Sequence, residues 1–591
     1  MSKKPEKKIK TNKKFKYLSY LKKYKKLCFW GPFFKAVEAL TEVIIPFMMA
    51  FIIDEYIASG NKKMIWTMSA VIIGLNVIAI ICACLGQKFA SVTSESVGRD
   101  MRDDIFTHIS TFSHAELDKY STTALLNRTI FDVYHLQEGT SMILRVVMRA
   151  PFLFVGSTIM AMIVDIKLSL IFLVVVPLLL GIIFAVMKKL EPLLVESKAR
   201  VDKTSKVTRE NLSGVRVVRA FNKQIYEEER FKNTNDALTE IQLKEGRLSA
   251  LLQPLIFMIV QISIIILIYA GAFQINTGSG MTQGHLIAFI NYFAQISMAL
   301  ILIARLITMF TRMKTSATRI EEIMQTENSI IDPTNPVKID ENAFNASVDF
   351  ESVSFSYLNN TEFLEDFNLN VPEGATIGII GGTGSGKSTI VNLIERFYDP
   401  KKGKVKIGGV DIKKYKVEDI RNIIGIVPQN PTLFEGTIRS NMQWRKENAS
   451  DSEIIIALKI AQAYDFVAAY PDGLDHKVNR GGTNFSGGQR QRLTIARALV
   501  GKPKILILDD SSSALDFATD AKLRQAITRS FPRLTTFIVS QRTNSLKAAD
   551  KIVVLDAGKV VGVGTHKELM ESCPVYLEIH RSQNQRRASN G

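Results

Sequence analysis

Six long apolar runs, all within the first 308 residues, constrain this chain more than any other feature. Their cores lie near 29–53, 64–86, 143–163, 167–187, 251–275 and 284–308. Each is long enough to cross the ~30 Å hydrocarbon layer of a bilayer as a helix. No water satisfies backbone groups in lipid, so helix is the form these runs predict. Short connections fall at 57–63, 165–167 and 276–283, and two long, charged, helix-prone ones cover about 87–142 and 188–250. Both long connections and both ends of the chain then share one side. The first 26 residues hold twelve lysines and one glutamate, which makes that side the cytoplasmic one. Such a block beside an apolar span fits anionic lipid headgroups, so the net charge of +18 points to membrane lipids and not to nucleic acid.

Residues 15–24 interleave aromatics, leucines and lysines, and predict an interfacial helix with Phe15, Leu18 and Leu21 on one face. Within the spans, Lys35, Glu38 and Glu42 share one helix face. Arg145 with Arg149 and Asn291 with Gln295 are further polar pairs, and Arg305 lies in the sixth run. Charge facing lipid is costly, so these faces look inward. Two readings stand: a water-filled path whose acids favour cationic substrates, or structural pairing such as Lys35 with Glu38. The four cysteines, Cys28, Cys82, Cys84 and Cys573, have no metal-ligand spacing.

The second half is polar and of a different kind. A linker at 325–345 carries Pro333 and Pro336, and beyond it β-type and helical runs alternate. Residues 375–388, ATIGIIGGTGSGKS, set an apolar strand before a glycine-dense turn with the spacing G-x-x-x-x-G-K-S. That is a phosphate-binding loop, formed by Gly381, Gly382, Thr383, Gly384, Ser385, Gly386, Lys387 and Ser388, with Thr389 following. Its backbone N–H groups and the next helix's N-terminus hold phosphates, Lys387 reaches the β- and γ-phosphates, and Ser388 joins Mg²⁺. The apolar run 504–509 ends in Asp509, placed to hold the hydration shell of Mg²⁺. Tyr357 is an adenine-stacking candidate, and Gln429 can touch Mg²⁺ or the attacking water. Ser486, Gly487, Gly488 and Gln489 open a helix and offer a second phosphate-binding surface. One nucleotide needs one phosphate loop, so the second surface implies a head-to-tail dimer with ATP sandwiched between domains.

Taken together, GGTGSGKST, IVPQNPTLF, NFSGGQRQR, ILILDDSSSALD and VSQRT resemble the ATP-binding cassette domain, and six spans before one such domain are similar to a half-transporter of the ABC exporter class. The resemblance implies an α plus α/β chain. Its parts are a basic tail and interfacial helix (1–24), a six-span domain (25–324), the linker (325–345), a cassette (346–580) and a disordered tail (581–591). It implies coupling helices near 112–125 and 212–228, and an opposite-site sensing role for Asp516. Three positions depart from the family pattern. Asp510 stands where a catalytic glutamate is usual, Gln541 where the switch histidine is usual, and Arg480 at an acidic position before the signature. Phe485 also replaces the usual leucine of that signature. The resemblance then implies a chain that binds ATP but hydrolyses it weakly. It further implies a non-identical partner half-transporter with an intact glutamate and histidine, embedded in a bacterial plasma membrane and exporting hydrophobic, drug-like compounds. A lipid or lipid-linked substrate flippase is the nearest alternative, and an ATP-gated channel or regulatory protein a more distant one.

Overall fold

The computed structural model describes residues 16–278, 280–340, 344–357, 362–511 and 514–588, without the side chains of 304, 305, 307, 308, 362 and 584–588. Phe15 and the Arg305 side chain therefore lie outside the described residues. The chain divides into two compact units: Met1–Ser110 with Thr123–Gln325, and Thr111–Thr122 with Thr326–Gly591.

The first unit is helical. Among the described residues, six helices are long and apolar enough to cross a membrane: Lys25–Ile57, Lys62–Ser110, Thr122–Val164, Ile166–Ala220, Gln224–Asn276 and Gln283–Ile303. The predicted long connections are helical, because the spans run straight into them. Uninterrupted helices at Lys62–Ser110, Ile171–Ala220 and Gln224–Asn276 have 49, 50 and 53 residues. At about 1.5 Å per residue each is roughly 75–80 Å long, more than twice the bilayer's apolar thickness. The short connections are held by caps. Asp165 accepts from the Leu168 N–H at 2.8 Å. Asp54, at the end of span one, accepts from the Gly284 N–H at 2.7 Å and from the Thr282 hydroxyl, so one helix's carboxylate satisfies the first turn of another.

Small residues bring the helices close. Ala39, Ala161, Ala288 and Ala299 are fully buried, and Phe172 stacks on Phe289 and Phe293 at 5.4 and 5.8 Å. Most of the predicted polar residues inside the spans pair with other side chains, but Asn291 is exposed and donates to the Ile287 carbonyl of its own helix at 2.9 Å, so it does not share the inward face expected for it with Gln295. Lys35 Nζ lies 2.6 Å from Glu38 Oε2, and Arg149 lies 3.5 Å from Glu38 and 2.7 Å from Glu42. Gln295 donates to the Glu42 carbonyl at 2.9 Å and accepts from Ser157 at 2.6 Å. Two cations and two carboxylates sum to zero, so the structure favours pairing over an acidic path. Arg145 donates instead to Gln87 at 3.0 Å.

The interfacial helix is Tyr17–Lys23. It packs through Tyr17, Tyr20, Leu21 and Tyr24, whereas Leu18 is exposed. Its tyrosine hydroxyls reach Thr140, Asp104 and Asp100, and these polar anchors turn the helix away from the face that leucine spacing predicts. Of the two expected coupling helices, the first is a six-residue helix, His114–Lys119. The second region holds no separate short helix: two long helices meet at Phe221–Lys223, where Asn222 has φ 51°.

Among the described residues the second unit has twelve strands: β1 (Val348–Ser356), β2 (Glu362–Val371), β3 (Thr376–Gly381), β4 (Lys402–Ile407), β5 (Val410–Asp411), β6 (Ile424–Val427), β7 (Gly436–Thr437), β8 (Lys477–Val478), β9 (Ile505–Asp509), β10 (Thr535–Val539), β11 (Lys551–Asp556) and β12 (Lys559–Gly564). One sheet has the order β2-β1-β4-β5 and is antiparallel. The central sheet has the order β12-β11-β3-β10-β9-β6 and is parallel except for β12. Its central strands are buried on both faces, which is why they read as unbroken runs of Ile, Leu and Val. Beyond the sheets, residues 581–588 of the tail expected to be disordered (581–591) continue a helix, Pro574–Ala588, and residues 589–591 lie outside the described residues. Hydrogen bonds to the loop after β10 hold it there, a tertiary effect that its polar composition conceals.

Candidate nucleotide site

In a parallel sheet, ligands gather outside the carboxyl ends of the strands. Strands β3, β10 and β9 are adjacent in that order, so the residues following them converge. The phosphate loop follows β3, the switch loop follows β10, and Asp509 ends β9. Sheet order, not sequence distance, builds the site.

The turn after β3 can form only with glycine at two places. Gly386 has φ 100°, and a Cβ there would come within 2.8 Å of the Phe363 carbonyl. A Cβ on Gly381 would lie 2.3 Å from the Leu555 carbonyl. Gly386 is also the N-cap of the helix Lys387–Ile394, which therefore begins with free N–H groups facing the loop. Gly382, Thr383, Gly384 and Ser388 are exposed, whereas Ser385 and Thr389 are buried. Lys387 Nζ donates to the carbonyls of Gly381 at 3.0 Å and Gly382 at 2.6 Å. Its ammonium is thus stored across the loop's mouth. Burial lowers its pKa, and Asp509 and Asp510 oppose that shift.

The acidic pair completes the electrostatics. Burial pushes the Asp509 carboxyl above its ordinary range, the Asp510 charge adds to the effect, and Lys387 opposes it. Burial raises Asp510 too, against a hydrogen bond from Gln429 and the fields of Arg542 and Lys387. The predicted trio of Gln429, Asp509 and Asp510 is therefore brought together. Asp510 has φ 46°, in the left-handed region that Asp tolerates better than most residues, and its N–H donates to the Val539 carbonyl at 2.9 Å. Two partly buried carboxylates and the Gln429 amide that bonds Asp510 are hard-oxygen groups of the kind that suits Mg²⁺. Ser388, Gln429 and Asp509 could hold it.

Tyr357 follows β1, and its hydroxyl lies 3.2 Å from Thr389 Oγ1. Its ring is boxed by Phe355, Phe363 and Tyr398 at 4.8 to 5.2 Å. Ser486 caps the helix Gly487–Leu499: its N–H donates to Gln489 Oε1 at 2.9 Å, and its hydroxyl accepts from the Gln489 N–H at 3.3 Å. Among the described residues, no hydrogen bond or ion pair joins this turn to the phosphate loop. Asp516 caps the helix Phe517–Ser530 through the Thr519 N–H at 2.7 Å, which lowers its carboxyl pKa. Gln541 is exposed at the end of β10, and Arg480 is likewise exposed.

Sequence reasoning missed two groups near this site. Thr543, His580 and Gln583 hold the switch loop. Glu395 follows the phosphate-loop helix, is buried, leaves its Oε2 without a hydrogen bond, and is pushed up to about 8 by that burial. No motif spacing marks either group.

Comparison with known proteins gives the family. The family model for the ABC transporter transmembrane region matches residues 28–300, and the ABC transporter model matches residues 364–513. The chain belongs to the ABC transporters. It is 36% identical over 569 residues to an uncharacterized ABC transporter ATP-binding protein of Mycobacterium tuberculosis, covering 96% of this chain and 97% of that one. It is 30% identical over 578 residues to the putative multidrug export ATP-binding/permease protein YgaD of Bacillus subtilis, covering 96% and 99%. Its fold matches a bacterial Atm1-family ABC exporter with ATP bound, with TM-score 0.77, 23% identity and coverage of 96% and 98%. The chain is a multi-pass membrane transporter with a six-span domain and a P-loop ATPase domain. One expectation is corrected by the same match: exporters of the Atm1 kind are typically homodimeric, so the non-identical partner is withdrawn.

Proposed function

We propose that this chain is an ATP-driven exporter that moves hydrophobic or amphipathic, drug-like compounds out of a bacterial cytoplasm or inner leaflet. The single observation that carries the reading is one chain joining six apolar spans to a complete phosphate loop, strand acid and signature turn. Its likeness to the putative multidrug export protein of Bacillus subtilis favours drug-like cargo. The lysine-rich start and the two long helical connections share the cytoplasmic side.

In this reading two copies face head to tail. Lys387 leaves the Gly381 and Gly382 carbonyls for the β- and γ-phosphate oxygens of ATP, and the loop N–H groups hold the rest. Tyr357 stacks on adenine. The partner copy's signature turn closes over the γ-phosphate. Mg²⁺ held by Ser388, Gln429 and Asp509 would supply neutralisation of the phosphate charge. Asp510 takes the proton of the attacking water, assisted by Gln429, and Gln541 donates to the γ-phosphate. Asp510 is one methylene shorter than glutamate, and Gln541 cannot carry a proton near neutral pH. Turnover at each site is therefore slow. ATP binding closes the cassettes and opens the spans outward, and hydrolysis resets them.

Sealed inside-out vesicles containing the purified chain test the function. ATP-dependent accumulation of an amphipathic dye, lost in Lys387→Ala, is the expected result. ATP-gated flow only down the dye gradient would replace the pump with a channel.

A further inference from the structure

The loop that carries Gln541 is held from outside the site. Strand β10 ends at Val539, and the chain then crosses the site's rim through residues 540–543. The helix Pro574–Ala588 lies against this loop and grips it from both sides of Arg542. Gln583 donates through Nε2 to the Gln541 carbonyl at 2.6 Å. Its Oε1 accepts from the Thr543 N–H at 3.0 Å and from the Thr543 hydroxyl at 3.1 Å. His580 Nδ1 lies 2.8 Å from that hydroxyl. Thr543 is 1% exposed, so its own bonds are partly shielded from water, whereas the bond to the Gln541 carbonyl lies at the surface. One primary amide thus satisfies a carbonyl and an N–H two residues apart, which fixes the loop's local course.

We infer that Gln583 is a positioning residue for hydrolysis: from the C-terminal helix it sets the backbone of Gln541, and with it the reach of the Gln541 side chain toward the γ-phosphate. The inference rests on the proposed role of Gln541 in ATP turnover. It also gives residues 574–588 a task in the reaction cycle. A protonated histidine would add charge to its hydrogen bond, but a glutamine that acts only through a neutral hydrogen bond depends on placement. Gln583 touches no reacting atom, and its effect passes entirely through the switch loop.

The test is a double-mutant cycle on the full-length chain in lipid nanodiscs, with kcat and KM for ATP measured for wild type, Gln583→Met, Gln541→Ala and the double variant. Methionine keeps the side chain's length and removes all three hydrogen bonds. Gln583→Met is expected to lower kcat by about three- to tenfold with KM within about twofold, the pattern of an interaction used in the transition state. In the Gln541→Ala background the same change is expected to have less than about a 1.5-fold effect, because coupled residues are not additive. Equal losses of kcat in both backgrounds, or none in the first, overturn the clamp. If Gln541→Ala alone leaves kcat unchanged, the proposed role of Gln541 fails, and the clamp fails with it by a distinct signature. Gln583→Glu serves where Gln583→Met unfolds. Its carboxylate keeps the bond from the Thr543 N–H but faces the Gln541 carbonyl without a donor. A loss of kcat that disappears in Gln541→Ala is again the supporting result, and unaltered kcat the refuting one.

Discussion

Replacing Asp510 with glutamate should speed this transporter's ATPase. The backbone at this position has no slack: φ is 46°, and the Asp510 N–H is tied to the Val539 carbonyl at 2.9 Å. The carboxylate already accepts a hydrogen bond from Gln429, so its position is also fixed from the side of the attacking water. With both anchors in place, only side-chain length can move the acceptor oxygen. One methylene adds about 1.3 Å of reach, and a misplacement of about 1 Å costs up to about 10²-fold in rate. Asp510→Glu is therefore expected to raise kcat by about 10- to 100-fold, or about 1.4 to 2.7 kcal/mol of barrier. The assay is phosphate release by the purified chain in nanodiscs at saturating Mg-ATP. The KM should stay within about twofold, since the change acts after binding. A kcat within about twofold of wild type, or a lower one, would refute the view that a short base limits turnover.

Two further predictions concern buried charge. Glu38, with its side chain 8% exposed, accepts from Lys35 at 2.6 Å and lies 3.5 Å from Arg149, which pairs with Glu42. Glu38→Gln is expected to cost about 3–5 kcal/mol by leaving the buried Lys35 ammonium without its carboxylate, while Lys35→Met with Glu38→Leu recovers much of that; thermal unfolding in detergent reads both, and unchanged unfolding of Glu38→Gln would mean that the cluster is solvated. Glu395, pushed up to about 8 in the folded chain, holds a proton that an unfolded carboxyl releases near pH 4.5. Its stabilisation is complete below that lower value and is lost as pH rises through about 8. Wild type should therefore lose about 2–3 kcal/mol between pH 6 and pH 9 that Glu395→Gln does not lose. Parallel calorimetric scans of the two proteins decide it, and equal slopes would remove Glu395 as the cause.

The six spans and the phosphate loop were legible in the chain because each is a local property. A run of about twenty apolar residues crosses lipid whatever its neighbours are, and a glycine-lysine-serine turn needs φ values that only its own residues supply. Helix continuity through the long connections followed from the same local periodicity. Other features depended on partners far apart in sequence. The Lys35, Glu38 and Glu42 face could not reveal its charge balance, because the decisive cation, Arg149, is more than a hundred residues away. The interfacial helix turned on tyrosine anchors to Asp100, Asp104 and Thr140, which leucine spacing cannot encode. The polar segment after 580 reads as disordered by composition, yet it is helical where Gln583 finds the switch loop. Periodicity and motif spacing report what a segment does for its own backbone. Which ions pair, which acid stays protonated and which helix holds a loop are settled only when sheet order and helix packing bring distant polar groups together out of water.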